Sequence, residues 1–388
     1  MTPNYGDFQL EIYLAGLNGA TPEHPMTFAE LEARAEAALS TETYSYVAGG
    51  AGNEHTQRHN VDAFDKYALI PRMLAGAAER DLSIDLFGMR LPTPLLLAPV
   101  GVIGLCDAAG HGEQVTARAS AATGVPMIAS TLTADPLEDV APLAGDTPGL
   151  FQLYTPADRD LAASFVKRAE AAGYKGIVVT LDTQILGWRP RDLALGSFPQ
   201  LRGLCLENYF SDPIFQAKLE KSPKDDPMAA ALHWALGFSD PSLGWDDLEW
   251  LRSLTDLPLI LKGICHPDDV RRALDGGVDG IYCSNHGGRQ ANGGLAAIDV
   301  LEDVVEAAGD APVIFDSGVR SGEHVVKALA LGATAVGIGR PYAYGLACGG
   351  EAGIVHVLRS LLAETDLLMA VDGYASIADL TPESLIKR

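Results

Sequence analysis

The chain has 388 residues, with 28 Lys and Arg against 51 Asp and Glu, a formal charge of −23. A hydrophobic content of 47% with 20% charged residues suits a folded globular chain and excludes a mostly disordered one. The acidic balance excludes a nucleic-acid binder, which must neutralise phosphates with Lys and Arg, and disfavours docking on an anionic membrane.

The first residues, MTPNYGDFQLEIY, carry Asp7 and Glu11 but no basic stretch, so no signal peptide is read. Thr27-Phe-Ala-Glu30 has the form of a capping box, and ELEARAEAAL behind it supplies good helix formers. Residues 1–90 are therefore expected to form a helical segment packed on a larger unit over 91–388. The longest uncharged apolar run, 91–106, is broken by Pro92, Pro94 and Pro99 and is no candidate span. The five cysteines, Cys106, Cys205, Cys265, Cys283 and Cys348, are scattered with no C-x-x-C pair. They predict reduced thiols, and with the acidic balance a cytoplasmic protein, rather than a disulfide framework or a metal site.

From about residue 95 short apolar runs alternate with amphipathic stretches. The runs are LLLAPV (95–100), PMIAST (126–131), GLFQLY (149–154) and GIVVTLD (176–182). PLILKGI (258–264), GIYCSNH (280–286), PVIFDSG (312–318) and AVGIGRP (335–341) follow. Runs apolar on both faces are what buried parallel strands require, and eight of them with helical connections predict a (β/α)8 barrel. The competing architecture is an open doubly wound sheet, but APVGVIG is a poor match to the glycine fingerprint of that fold. One connection, from the fourth run to the fifth, is far longer than a helix and two loops need. It contains KLEKSPKDDP, and its position predicts a lid over the barrel mouth at about 190–255; the alternative is a tolerated surface insertion.

Polar residues gather at the C-terminal ends of the runs, where barrel enzymes hold their chemistry. The third run ends in Gln152 and Tyr154, the fourth in Thr180 and Asp182 with Arg189 beyond, and the fifth in Lys262. The sixth ends in Ser284-Asn285-His286, the seventh in Asp316-Ser317-Gly318 with Arg320 behind, and the eighth in Gly339-Arg340. SNHGGRQ (284–290) sets a titratable His286 beside the fixed cation Arg289. A proton acceptor next to a carboxylate clamp is what oxidation of a 2-hydroxy acid needs. The structural alternative is a satisfied histidine in a Gly-rich turn. DSGVR (316–320) and GIGR (337–340) fit the phosphate position after strands seven and eight. Lys262 faces the same mouth, or else snorkels. No H-E-x-x-H, clustered metal-ligand set or G-x-S-x-G is present, which disfavours metal hydrolysis and the usual serine hydrolases.

SNHGGRQ, APVG, FQLY, Thr180-Leu-Asp182 with Arg189, LKG, DSGVR and GIGRP, in this order, resemble the FMN-dependent 2-hydroxy acid oxidase and dehydrogenase family. SYVAGGAGNEHT (45–56) resembles its N-terminal substrate segment. GWRPRD (187–192), YCSNHGGRQANGG (282–294), NYGDFQLEIY and the long lid are most similar to the bacterial lactate monooxygenase branch. The resemblance implies FMN as cofactor, no metal, and a small 2-hydroxy acid and dioxygen as reactants. It also implies a homotetramer or homo-octamer.

Residue by residue, the resemblance implies His286 as the base, oriented by Asp182. Arg189 and Arg289 would hold the substrate carboxylate with Tyr46, and Tyr154 would meet the substrate hydroxyl region. Lys262 would sit by the flavin N1 edge. Ser130, Gln152 and Thr180 would bind the ring, with Ala98, Pro99, Val100 and Gly101 beneath it and Ser284 nearby. Asp316, Gly318, Arg320, Gly339 and Arg340 would hold the ribityl chain and phosphate. Gly101, where many family oxidases carry Ala, and Trp188, where Arg is common, favour the monooxygenase type. In that type the keto acid is retained with hydrogen peroxide and decarboxylated, so that lactate gives acetate, carbon dioxide and water. In the oxidase type, keto acid and peroxide leave separately. For Gly101 the alternative is simple backbone permissiveness, and a further alternative for the whole chain is a non-catalytic flavin- or acid-binding barrel.

Overall fold

Each apolar run forms a strand in the computed structural model, whose described residues are 4–76 and 78–388. The strands are β1 (Leu95–Leu97), β2 (Ile128–Ala129), β3 (Leu150–Leu153) and β4 (Ile177–Thr180), then β5 (Leu259–Ile264), β6 (Gly280–Cys283), β7 (Val313–Phe315) and β8 (Ala335–Ile338). They pair in parallel in the order β1-β8-β7-β6-β5-β4-β3-β2. A parallel bridge from Leu97 to Met127 joins β1 to the approach of β2 and closes the ring. The architecture is a (β/α)8 barrel, and the open sheet is excluded.

Side-chain alternation explains why the runs look uniformly apolar. Leu96, Ile128, Leu150, Val178, Ile260, Tyr282, Ile314 and Ala335, one from each strand, form the inner cluster. Their chain neighbours, among them Leu97, Phe151, Val179, Leu261 and Phe315, belong to the outer cluster under the helices. Both faces are buried, so no polar face interrupts the pattern. Each such side chain stabilises the fold by about 1.5–3 kcal/mol, and truncating Ile260 to Ala would cost about 2–5 kcal/mol. A hairpin of Ile84–Leu86 and Met89–Leu91 adds Ile84, Leu86 and Leu91 to the inner cluster, stoppering the end opposite the mouth.

The segment before the barrel holds helices Asp7–Gly16, Phe28–Ala38, Thr41–Ala48 and His55–Asp62. It then turns extended, and Tyr67–Leu69 pairs antiparallel with the C-terminal Leu385–Lys387. Thr27 caps Phe28–Ala38 by accepting the Glu30 N–H at 3.3 Å. Glu30 returns to the Thr27 hydroxyl, at 2.9 Å, rather than to its backbone.

The long connection is folded. It contains helices Pro190–Leu195, Pro227–Gly237 and Leu248–Ser253 with shorter turns between them. KLEKSPKDDP is the exposed turn that ends in the Asp226 cap of Pro227–Gly237, where Asp226 accepts the Ala229 N–H at 3.1 Å. All five cysteines are free thiols. Among the described residues, no helix is long and apolar enough to cross a membrane, and no cluster of His, Cys, Asp and Glu could hold a metal ion.

Candidate active site

Two residues beyond the inner apolar cluster, the same side of each strand presents Ala98, Ser130, Gln152, Thr180, Lys262, Ser284, Asp316 and Gly337. This ring is the floor of the mouth, and seven of its eight members are residues predicted above. Ser130 Oγ donates to Gln152 Oε1 at 3.1 Å. Lys262 Nζ donates to Ser284 Oγ at 2.8 Å, lies 3.6 Å from Asp316 Oδ2, and sits 5.1 Å above the Tyr282 ring. The eighth member, Gly337, is needed for space, because a Cβ there would collide with the Tyr282 hydroxyl.

A cavity opens above this floor, lined by Tyr46, Ala98, Pro99, Val100, Gly101, Tyr154, Arg189, Lys262, His286 and Arg289 on one side. Asp316, Gly318, Arg320, Gly339 and Arg340 line it toward the other. The structure thus brings the two sequence patches into one cleft. Ser130, Gln152, Thr180 and Ser284 are buried in the ring beneath it and do not line the cavity surface. Asp182 stands behind His286, with their side chains 18% and 17% exposed.

His286 Nδ1 is 2.7 Å from Asp182 Oδ1. Burial alone would raise the Asp182 carboxyl, but His286 and Lys262 outweigh it and hold the group at about 2. An ionised carboxylate only accepts, so the histidine carries its hydrogen on Nδ1 and leaves Nε2 with the lone pair. Burial pulls the His286 imidazole below its ordinary value, with Asp182 opposing and Lys262 assisting. Neutral imidazole is therefore the resting form near neutral pH.

His286 is held in left-handed backbone at φ +58°, followed by Gly287 at +61° and Gly288 at +73°. That conformation costs a non-glycine residue about 1–2 kcal/mol. Ser317 Oγ opposes the cost by accepting the Asn285 and Gly287 N–H groups at 3.2 and 3.1 Å. Asn285 Oδ1 accepts the Gly288 N–H at 3.2 Å, and the amides of Asn60 and Asn285 pair reciprocally at 2.8 Å. Two glycines after the histidine are thus a geometric necessity of the turn that aims it.

Arg189 and Arg289 flank the Tyr46 ring, with guanidinium carbons 5.5 and 4.9 Å from its centroid. Arg189 donates to the Arg289 carbonyl at 3.1 Å and to Gln290 Oε1 at 2.5 Å, leaving its buried Nη1 without a partner. Arg289 donates to the Gly49 carbonyl at 2.5 Å. Burial and the neighbouring Arg189 and Arg340 push Arg289 down to about 9, and burial with Arg320 takes Arg340 to about 10. These guanidiniums stay charged. Their mutual repulsion marks an excess of positive charge that anions would relieve.

At the other end Gly318 has φ +92°, and a Cβ there would strike the Asn60 carbonyl. Arg320 stacks on Phe28 at 4.5 Å and donates to the Val319 carbonyl. Arg340 opens the helix Arg340–Asp372, so a helix N-terminus faces the cavity beside it.

Sequence reasoning missed several wall residues. Leu186, Phe198 and Phe238 enter the cavity from the long connection, and Leu132 from the loop after β2. Phe198 lies 6.1 Å from Tyr46, and Phe238 5.0 Å from Tyr154, centroid to centroid. Nothing in the sequence pairs these aromatics. Thr183 donates to Asp182 Oδ1 at 3.1 Å and lies 3.3 Å from His286 Nδ1; its place next to Asp182 was the only signal for it.

The cleft also fits a flavin mononucleotide on physical grounds. Gln152 Nε2 and Thr180 Oγ1 are buried without partners on the floor, as donors for a ring edge rich in carbonyls and ring nitrogens would be. Lys262 offers a buried cation beside them. The excess positive charge, the Gly318 turn and the helix N-terminus suit a phosphate.

Residues 35–387 match the FMN-dependent dehydrogenase family. The chain is 42% identical to an FMN-dependent alpha-hydroxy acid dehydrogenase of Penicillium citrinum, over 97% of this chain and 94% of that protein. It is 40% identical to an L-lactate oxidase of Lysinibacillus sphaericus, over 97% of this chain and 96% of that one. Among solved structures, an oxidised active mutant of (S)-mandelate dehydrogenase superposes with a TM-score of 0.85 at 35% identity, covering 94% of this chain and 99% of that one.

Proposed function

From the premise that the chain belongs to the FMN-dependent dehydrogenase family, with FMN as its cofactor, we propose that it oxidises a small L-2-hydroxy acid, lactate foremost. We propose further that it is a monooxygenase, turning lactate and dioxygen into acetate, carbon dioxide and water. The observation that supports the oxidation is the neutral His286, backed by ionised Asp182, in one cleft with the paired guanidiniums of Arg189 and Arg289.

When bound, FMN supplies the two-electron acceptor and passes the electrons to dioxygen. The chain's residues do the rest. Arg289 and the free Nη1 of Arg189 bind the carboxylate, with Tyr46 between them. Tyr154 holds the hydroxyl region, and burial keeps its own phenol protonated. Nε2 of His286 accepts the proton released as the alcohol becomes a ketone, and Asp182 stabilises the resulting imidazolium. Lys262 would place its buried cation beside the flavin ring, where it would stabilise added negative charge. Ser130, Gln152, Thr180, Ser284 and the 98–101 backbone hold the ring, while Asp316, Gly318, Arg320, Gly339 and Arg340 hold the phosphate arm.

The monooxygenase outcome rests on Gly101. Its φ is not left-handed, so backbone freedom does not demand glycine there. Instead, a Cβ would stand 3.1 Å from Leu132 Cβ and 3.6 Å from Ser130 Oγ. The missing methyl leaves space beside Leu132 and Ser130, which would give keto acid and peroxide room to be retained together. The oxidase reading is favoured by the L-lactate oxidase relatives. Aerobic turnover of lactate with product analysis separates the two: acetate supports monooxygenation, and pyruvate with stoichiometric peroxide overturns it.

We place the enzyme in the cytoplasm as a homotetramer or homo-octamer, in keeping with its free thiols and its family resemblance; a monomeric mass by light scattering would refute the assembly. We assign residues 190–255 as the lid over the mouth, since this connection supplies Phe198 and Phe238. Oxalate should protect it from limited proteolysis, and unchanged cleavage would argue against a lid.

A further inference from the structure

Three carbonyls end the helix that carries Tyr46, and three side chains from distant parts of the chain collect them. Arg289 donates to Val47 and Gly49 at 3.4 and 2.5 Å. Arg340 donates to the same two carbonyls at 3.1 and 3.0 Å. Gln57 Nε2 donates to the third, Ala48, at 2.9 Å. The other end of the Gln57 amide accepts from Arg340 Nη2 at 2.6 Å. One amide therefore links the phosphate-end arginine to the helix end that both arginines grip.

The fit around Gln57 is close. A Cβ on Gly50 would lie 2.5 Å from its Oε1, and one on Gly288 would lie 2.5 Å from its backbone nitrogen. Gly50 follows the helix end, and Gly288 closes the turn that aims His286. Gln57 is thus wedged between the segment bearing Tyr46 and the loop bearing the base. Cations at a helix C-terminus are favourable in themselves. Gln57 adds direction, because Arg340 cannot rotate toward the cavity without breaking a charge-assisted bond to it.

We propose that Gln57 is a positioning residue that couples the cofactor-phosphate end of the cleft to the substrate-carboxylate end. It holds Arg340 in register with the C-terminus of Thr41–Ala48, so that an occupied phosphate site fixes Tyr46 between Arg189 and Arg289. The inference rests on the assignment of Arg340 to the FMN phosphate, and the test tells the two apart.

Gln57→Met keeps the shape and removes both hydrogen bonds. FMN titrated into apoprotein, followed by quenching of flavin fluorescence, should bind roughly ten-fold more weakly, as expected for loss of a bond to a charged group. At saturating FMN, KM for lactate should rise by a larger factor than kcat falls. In an Arg340→Met background, Gln57→Met should weaken FMN binding no further. If Gln57→Met stays within two-fold of the parent in FMN affinity, or if the two effects multiply, the coupling role is wrong. If Arg340→Met itself leaves FMN affinity unchanged, the phosphate assignment falls instead. Gln57→Glu guards against a packing artefact: it keeps the acceptor for Arg340 and puts a carboxylate beside the phosphate. Its FMN affinity should drop at low salt and recover as salt rises; a salt-independent loss would count against the proposal.

Discussion

His286 and Asp182 stand 104 positions apart in the chain, yet Nδ1 of one lies 2.7 Å from Oδ1 of the other. The carboxylate is ionised under all ordinary conditions and the imidazole is neutral at neutral pH. That combination makes a base oriented by an anion.

The rate of flavin bleaching by lactate under nitrogen should therefore be level above the ordinary histidine value of 6.5. It should fall only as pH drops through the depressed His286 value. Asp182→Asn removes the charge that opposes burial, so the acid limb moves to still lower pH while the plateau falls. His286→Gln should keep its flavin and bleach at least about 100-fold more slowly. Anaerobic stopped-flow across pH checks all three, and unaffected reduction in His286→Gln would remove its role as base.

Among the described residues no carboxylate is hydrogen-bonded to Arg289, though Asp192 is near enough to act on its charge; its guanidinium donates to the backbone carbonyls of Val47 and Gly49. Replacing it by Met should raise KM for lactate at least about 30-fold, in line with about 2–5 kcal/mol for truncating a buried charge-pair partner. Oxalate affinity, read from flavin spectral shifts, should fall by a similar factor. An unchanged oxalate affinity would show that the carboxylate binds elsewhere.

Gly101→Ala is sterically testable because its backbone accepts alanine and only Leu132 must give way, by a few tenths of an ångström. Flavin binding should survive. The products of aerobic lactate turnover should shift from acetate toward pyruvate and peroxide. The same acetate yield in both proteins would separate this position from the outcome.

Glu113 is buried and accepts the Gly104 and Ala134 N–H groups at 3.2 and 3.1 Å. Burial pushes its carboxyl up to about 7. Between its ordinary 4.5 and that value the folded state binds more protons than the unfolded one, so Glu113 makes stability fall as pH rises. Glu113→Gln keeps an acceptor for both N–H groups and removes the titration. Relative to the parent, its Tm should gain between pH 5 and pH 8. A Tm difference that does not change with pH would disprove the linkage.

Two kinds of information were legible without coordinates. Apolar runs bounded by Gly and Pro marked all eight strands, because a parallel strand buried on both faces stays apolar on both until it reaches the mouth, where Gln152, Thr180 and Lys262 stand. Strand ends marked the floor of the site, because side chains alternate with period two: knowing that Ile260 is core places Lys262 at the mouth. Gly287 and Gly288 were readable as a turn next to His286.

What the sequence by itself determined is therefore the barrel, the place of each strand along the chain and the chemistry along its rim. Tertiary structure alone decided which of those groups meet. Leu132 reaches the cavity from the loop after β2, and Phe198 and Phe238 from two distant points of the long connection, and local patterning says nothing about where a loop residue points. The Arg289, Arg340 and Gln57 grip on the Tyr46 helix lies between residues up to 293 positions apart. Such contacts arise from closing the ring: Leu97 must reach Met127 before β8, β6 and the N-terminal helices share one rim. Periodicity encodes which face a residue takes, and ring closure encodes its neighbours.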